Sequence, residues 1–398
     1  MKTFACIRAA FGAALLGSLF ACGGGGGGDG SAPVVAEKGT LRVAMTDAPA
    51  CGYDAVNVTV TKVRVHQAAA AAEGEAGWQD VTVDPPARID LLSLTNGVLY
   101  ELGQVQLPVG KYTQLRLVLA ENGGNTPLAN SVVLSVDKRE VALKTPSGQQ
   151  SGLKVHANID VAANQLADFV IDFDACKSVV KAGNSGQYLL KPVLSVVPRL
   201  VSGVLGYVEA GVISPQTSVS LQKDGVVVKA TVPDSTGRFL LQPVPAGTYQ
   251  LVLTAPDRTT AVVTNVPVAD QTVTTLNATT STLTVPTSST ATLSGTVSTG
   301  SAPIEALVLA QQPLSGGPTI VVADRAVDSE TGAYAYKVPV NAPLVAPYVA
   351  APAPLVFVPN TPAAGKYVVQ ASGAGGVKSA TSPTLAAGAT FATNFTLP

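Results

Sequence analysis

Asp168, Asp172 and Asp174 fall at even spacing on an alternating segment whose other phase is Phe169, Ile171 and Phe173. On a strand these carboxylates share one face, and positions two apart are separated by about 6.6–6.8 Å. Such a row can flank a hard cation with the help of loop oxygens. Asp47, in the turn Thr46-Asp47-Ala48-Pro49, is a fourth oxygen donor for a calcium-type (Ca2+) site. The same spacing also suits acids that pair with Lys or Arg across strands, or that face solvent. The rest of the inventory is poor in catalytic groups. The two histidines, His66 and His156, fall on the polar phase of their segments and read as solvated. No Ser lies in G-x-S-x-G, and neither H-E-x-x-H nor Cys-x-x-Cys occurs. The glycines at 23–28 lack the strand, helix and Lys-Ser/Thr of a phosphate loop. The expectation is a protein that is not an enzyme.

Aromatic side chains would be the mark of a glycan platform. Trp78, the only tryptophan, follows the Ala/Glu/Gly-rich stretch 68–77 and reads as a core plug at the start of a strand. Between 202 and 398, Phe239, Tyr249, Tyr334, Tyr336 and Tyr367 occupy strand-start and corner positions that a core requires. Tyr348 and Phe357, in the Pro/Ala-rich stretch 339–359, are left as candidate ligand-binding residues for a carbohydrate-binding alternative.

The cysteines carry a different chemistry. Lys2 and Arg8 precede an apolar run at 9–20 that is too short to span a bilayer, and Leu19-Phe20-Ala21-Cys22 ends it. Those four residues resemble a bacterial lipobox, with Phe20 bulkier than usual. The resemblance implies cleavage before Cys22, lipidation of its thiol and acylation of its amine. Gly23, where an acidic residue would retain the product at the inner membrane, points to the outer membrane. The expectation is an exported protein whose membrane partner is reached through the lipid, behind a signal at 1–21 and a Gly-rich tether at 22–39. Removing Lys2 and Arg8 takes the formal charge from −1 to −3, and no Lys/Arg cluster remains. Nucleic acid is therefore not an expected partner; a glycan or another envelope protein is. Cys6 leaves with the signal. Cys51 and Cys176 remain as an expected disulfide, enclosing more than 100 residues and worth about 4–5 kcal/mol in a chain-entropy account. Two separate buried thiols are the alternative.

The elements that must position these groups read as strands. Only 13% of residues are charged, while Gly and Pro punctuate the chain 38 and 28 times, a profile of sandwiches with tight turns. Val56, Val58 and Val60 share one phase; at Lys62 the phase slips, and Val63 and Val65 continue one residue out of step. This predicts a β-bulge. Further strands are expected at 112–119, 132–136, 153–161, 167–173 and 188–197, with a short helical or irregular crossing at 86–94.

Two resemblances organise the whole. Thr46-Asp47-Ala48-Pro49, Asp172-Phe173-Asp174-Ala175 with Lys177-Ser178, and Tyr188-Leu189-Leu190-Lys191-Pro192 resemble the bacterial family catalogued as domain of unknown function 4382. The resemblance covers about 40–200 and implies an exported β domain with no assigned activity. Residues 201–285 and 291–398 each carry G-x-V, then Asp-x-x-Gly-x-aromatic (Asp234 to Phe239) or its one-residue-longer form (Asp328 to Tyr334), then a Pro/Gly corner ending in Tyr249 or Tyr367. Both are similar to carboxypeptidase regulatory-like domains, transthyretin-type sandwiches, and the second is divergent. The stretch 285–290 reads as the linker. The fold expected is all-β: an N-terminal sandwich and two further sandwiches in tandem, serving as a non-catalytic surface binding or structural module.

Overall fold

The computed structural model describes residues 37–398 apart from 48–51, 147–150, 184, 192 and 301. The expected signal, Cys22 and the tether as far as residue 36 lie outside the described residues, and so does Cys51; the expected end of the tether is corrected, because Lys38 and Gly39 already belong to the first strand. Glu37–Pro398 is one compact unit. It is all-β, a tandem of β-sandwiches, as the alternation and turn chemistry require. No helix among the described residues is long and apolar enough to cross a membrane.

In the N-terminal sandwich, Lys38–Asp47 is central to a four-stranded sheet. It pairs in parallel with Leu166–Phe173 and antiparallel with Tyr100–Pro108. The facing sheet is built around Tyr53–His66. That strand shifts register between Val60 and Lys62 against both neighbours, Gln79–Asp90 and Gly110–Leu119. The bulge falls where the phase slips, and it lets Val60 and Val63 both reach the core. The crossing expected at 86–94 is shorter than expected: the strand Gln79–Asp90 runs on through 86–90, and only Leu91–Leu94 forms a 3-10 turn. Asp90 caps that turn by accepting from Leu92 N at 3.1 Å.

The middle sandwich packs Gly203–Tyr207 and its partners over a sheet made of Val226–Thr231, Ser218–Lys223, Gly247–Thr254 and Ala261–Val268. The third sets Thr290–Ser298 and its partners against Thr319–Ala326, Ala306–Pro313, Val368–Gly373 and Gly376–Thr381. The second and third sandwiches are not independent beads. Leu344–Pro347, from the Pro/Ala-rich stretch of the third, pairs in parallel with Ala261–Val268 and extends the middle sheet. Val252 and Val262, on the outer face of that sheet, form a small apolar cluster with Leu314, Ile320 and Ala363 of the third. The expected linker at 285–290 is folded in: Val285 belongs to the middle core, and Ser288 N bonds Asp257 O at 2.9 Å.

Candidate functional site

The three sandwiches meet at a charged junction. The short helix Ala175–Ser178 follows the strand Leu166–Phe173, and two aspartates fix its start. Asp174 accepts from Lys177 N at 3.0 Å, and Asp47 accepts from Ala175 N at 2.9 Å. These caps satisfy backbone N–H groups that so short a helix cannot pair itself. The helix aims Lys177 at two carboxylates, Asp174 at 2.7 Å and Asp324 of the third sandwich at 2.6 Å. A second ion pair joins Lys229 of the middle sandwich to Asp172 of the first at 2.7 Å, and the Lys229 side chain is only 3% exposed.

Other contacts reinforce the junction. Gln222, fully buried, uses its side-chain amide as a strand edge: Nε2 donates to Val321 O and Oε1 accepts from Val321 N, both at 2.8 Å. Asn96 of the first sandwich accepts from Leu240 N at 2.9 Å, and its own N–H donates to Thr231 Oγ1 at 2.9 Å. Asp328 of the third accepts from Gly183 N of the first at 3.0 Å. Between these contacts lies a cavity of about 310 Å³, lined from all three sandwiches. A second, of about 510 Å³, opens on the other side of Lys177 and Val193.

The electrostatics follow from burial. Burial alone would lower the pKa of Lys177, but Asp174 and Asp324 more than offset it and hold the ammonium charged. One cation is shared between two acids, and burial, with the neighbouring Asp174, pushes Asp324 above the ordinary carboxylate range against the attraction of Lys177. Asp47 is pushed well above that range, first by burial and then by the neighbouring Asp174 and Asp172, against the opposing bond from Ala175. Its Oδ2 has no hydrogen-bond partner among the described residues.

The cation site expected from the aspartates is corrected by these partners. Asp168 bonds Arg42 and lies 3.9 Å from Arg199; Asp172 goes to Lys229; Asp174, beyond the strand end, goes to Lys177. Each acid faces its own cation, and Asp47 caps a helix. Among the described residues no group of three His, Cys, Asp or Glu side chains could hold a metal ion.

His66 is also corrected. It is 7% exposed, covered by the loop before Trp78. Its Nδ1 accepts from Ala68 N at 2.9 Å, so the proton sits on Nε2, which bonds Ala76 O at 3.0 Å. His156 is exposed, as expected. Trp78 is half-buried beside the guanidinium groups of Arg64 and Arg116, at 4.9 and 4.7 Å from its ring centre. It serves to clamp the loop and is not a core plug.

Tyr348 and Phe357 do not form an exposed platform. Both are half-buried against the core of the middle sandwich, carried there by the strand Leu344–Pro347. Cys176 sits in the short helix and is not free.

Lys229, Asp324 and Gln222 escape a reading by motif. The signal that Lys229 and Asp324 do carry is a lone polar residue in an apolar strand, as in Val226-Val227-Val228-Lys229-Ala230 and Ile320-Val321-Val322-Ala323-Asp324. The turns and corners behave as expected. Asp234 accepts from Thr236 N and Arg238 N at 2.8 and 3.1 Å, and Tyr249 Oη donates to Pro245 O at 2.8 Å. A third corner went unread: Pro108-Val109-Gly110-Lys111-Tyr112, where Tyr112 Oη bonds Pro108 O at 3.1 Å.

No curated protein sequence matches the chain. Among solved structures, the Bacillus anthracis TIE protein is similar at 12% identity, with a TM-score of 0.18, over 90% of this chain and 50% of its own. A leucine-rich repeat protein from Bacteroides thetaiotaomicron is similar at 16% identity and a TM-score of 0.17, over 60% of this chain and 26% of its own. BcpA, the major pilin subunit of Bacillus cereus, is similar at 13% identity and a TM-score of 0.15, over 91% of this chain and 100% of its own. This chain thus spans about half the length of the first and a quarter of the second. One family model matches at the level of sequence: residues 38–192, the first sandwich and its short helix, match the family described as Domain of unknown function (DUF4382).

Proposed function

We propose that this chain is an exported lipoprotein, anchored through Cys22 in the outer membrane, whose three sandwiches act as one non-catalytic surface or scaffolding module. The observation that carries the reading is the junction. Lys177–Asp324, Lys229–Asp172 and Gln222–Val321 tie the sandwiches pairwise, and the strand Leu344–Pro347 crosses from the third into the second. Such a body holds its faces in fixed relation to one another, which suits presentation or spacing better than turnover.

Residues 201–285 and 291–398 serve as two carboxypeptidase regulatory-like units. Their Asp-Gly turns and tyrosine corners support this assignment. A Cys51–Cys176 disulfide would brace the segment after Asp47 against the helix that bears Lys177.

The test is Cys22→Ser. Acylation requires that thiol, so the variant is expected to leave the membrane fraction and appear in the soluble one. Unchanged, detergent-dependent extraction of the variant would remove the lipoprotein reading.

A further inference from the structure

We propose that the cavity at the meeting point of the three sandwiches is a binding site for a small neutral polyhydroxylated ligand, a monosaccharide or the terminal sugar of a glycan. At about 310 Å³ it lies within the range of small-molecule sites. The first argument is an unmet donor. The Lys229 ammonium has three N–H donors, its side chain is 3% exposed, and Asp172 is its one hydrogen-bonded partner among the described residues. Lys229 lines the cavity, where an acceptor on a ligand would take up the remaining donors of a buried charge.

The second argument is the alternation of sign. Asp172 and Lys229 form one wall. Asp174, Lys177 and Asp324 form another, and the exposed Arg325, without an ion pair among the described residues, stands at the rim. Three carboxylates and three cations sum to zero, so a ligand of either charge meets like charge in the lining. A hydroxyl group donates to a carboxylate and accepts from an ammonium at once, and a row of hydroxyls matches an alternating wall. Ser218 and Gln216 add neutral donors and acceptors. Among the described residues no aromatic side chain lines the cavity, so recognition there is by hydrogen bonds at the edge of the sugar and not by stacking.

This site differs from the surface of Tyr348 and Phe357, which the fold turns toward the middle core. It also stands apart from the scaffolding role: an anchored protein that binds no sugar would overturn only the binding site.

The experiment titrates the mature chain in detergent by calorimetry. The ligands are glucose, galactose, mannose and N-acetylglucosamine, each as the free sugar and as its methyl glycoside, with citrate and spermidine as charged counterparts. At least one neutral sugar is expected to saturate. Loss of its contact in Lys229→Met is expected to weaken it about tenfold or more, the scale of one charge-assisted hydrogen bond. Val228→Trp changes a residue that is 37% exposed at the cavity wall and leaves every ion pair in place, so it is expected to abolish binding in a folded protein. Should Lys229→Met fail to fold, Val228→Trp decides. Binding of the methyl glycoside assigns the site to a glycan end; binding of the free sugar alone assigns it to a monosaccharide. Saturation by citrate or spermidine alone, no binding of any neutral sugar, or binding that survives Val228→Trp would overturn the proposal.

Discussion

The middle and third sandwiches start from the same local motifs and use them differently. In the middle one, Asp234 bonds only within its own turn, to Thr236 and Arg238, and Tyr249 closes its corner on Pro245, four residues back. In the third, Asp328 satisfies its turn through Glu330 and Thr331 and also receives Gly183 N of the first sandwich. Tyr367 reaches past its own corner to the carbonyl of Pro339, where the crossing segment begins. Gly237 and Gly332, both at positive φ, make the turns sterically equivalent, since a Cβ at either would strike the backbone of Val208 or Val297. A turn motif therefore specifies its own geometry, while the spare lone pairs of its carboxylate decide whether it also docks a neighbour.

The comparison breaks most sharply at Lys177. Lys177→Met leaves the half-buried Asp174 and Asp324 without their cation, and loss of one partner of such a network costs up to about 3–5 kcal/mol. The expected outcome is that loss in denaturant unfolding, with new protease cleavage where the third sandwich meets the first and none at the contact of Asn96 with Leu240. Equal loosening of both contacts would show that the junction is a single cooperative lock.

A smaller difference is expected between the twin turns. Asp234→Ala removes a local cap, worth about 1 kcal/mol. Asp328→Ala removes the same cap and also strands Gly183 N, and is expected to cost about 2–3 kcal/mol. Equal costs in chemical denaturation would mean that the inter-sandwich bond contributes nothing.

The pH dependence separates turn acids from junction acids. Asp234 and Asp328 are held below the usual carboxylate range, with burial opposing and hydrogen bonds from their own turns prevailing. Their stabilisation is present above the unfolded-state pKa, about 3.9, and is lost as the pH falls through their folded values. Asp47 runs the other way. Its raised pKa gives stability that is complete below about pH 3.9 and is lost as the pH rises toward its folded value. Asp47→Asn, which keeps an acceptor for Ala175 N, is expected to match the parent near pH 4 and to gain on it steadily toward neutrality. A constant offset across that range in melting temperature would show that Asp47 is ionised in the folded protein.

Much of the strand plan was legible because alternation reports one buried face. The slip at Lys62 located the bulge to within one residue of the register shift between Val60 and Lys62. The junction was not legible for the same reason. Ser220, Gln222 and Lys229 occupy the phase that normally faces water, and sequence alone does not say that a second sandwich covers it. The signal that was present is the loss of alternation in Leu251-Val252-Leu253 and Ala261-Val262-Val263, continuous apolar runs that imply burial on both faces. Leu344–Pro347 was hidden by Pro343 before it and Pro347 at its end, which argue against a ladder strand, though they are tolerated near a sheet edge. His66 read as solvated because a loop folding back over a strand leaves no period in the sequence. The aspartates gave correct positions and the wrong partner, because a carboxylate spacing does not distinguish a cation from a lysine.

The crossing strand also sets an order of assembly. Ala261–Val268 pairs with Gly247–Thr254 on one side and with Leu344–Pro347 on the other. Its second partner is synthesised about 80 residues later. Until then the middle sandwich has an open ladder edge beside the bare side chains of Val252 and Val262, a surface competent to pair with another nascent copy. The third sandwich thus caps the open edge of the second, and truncation between 286 and 343 is expected to leave the middle sandwich prone to aggregate.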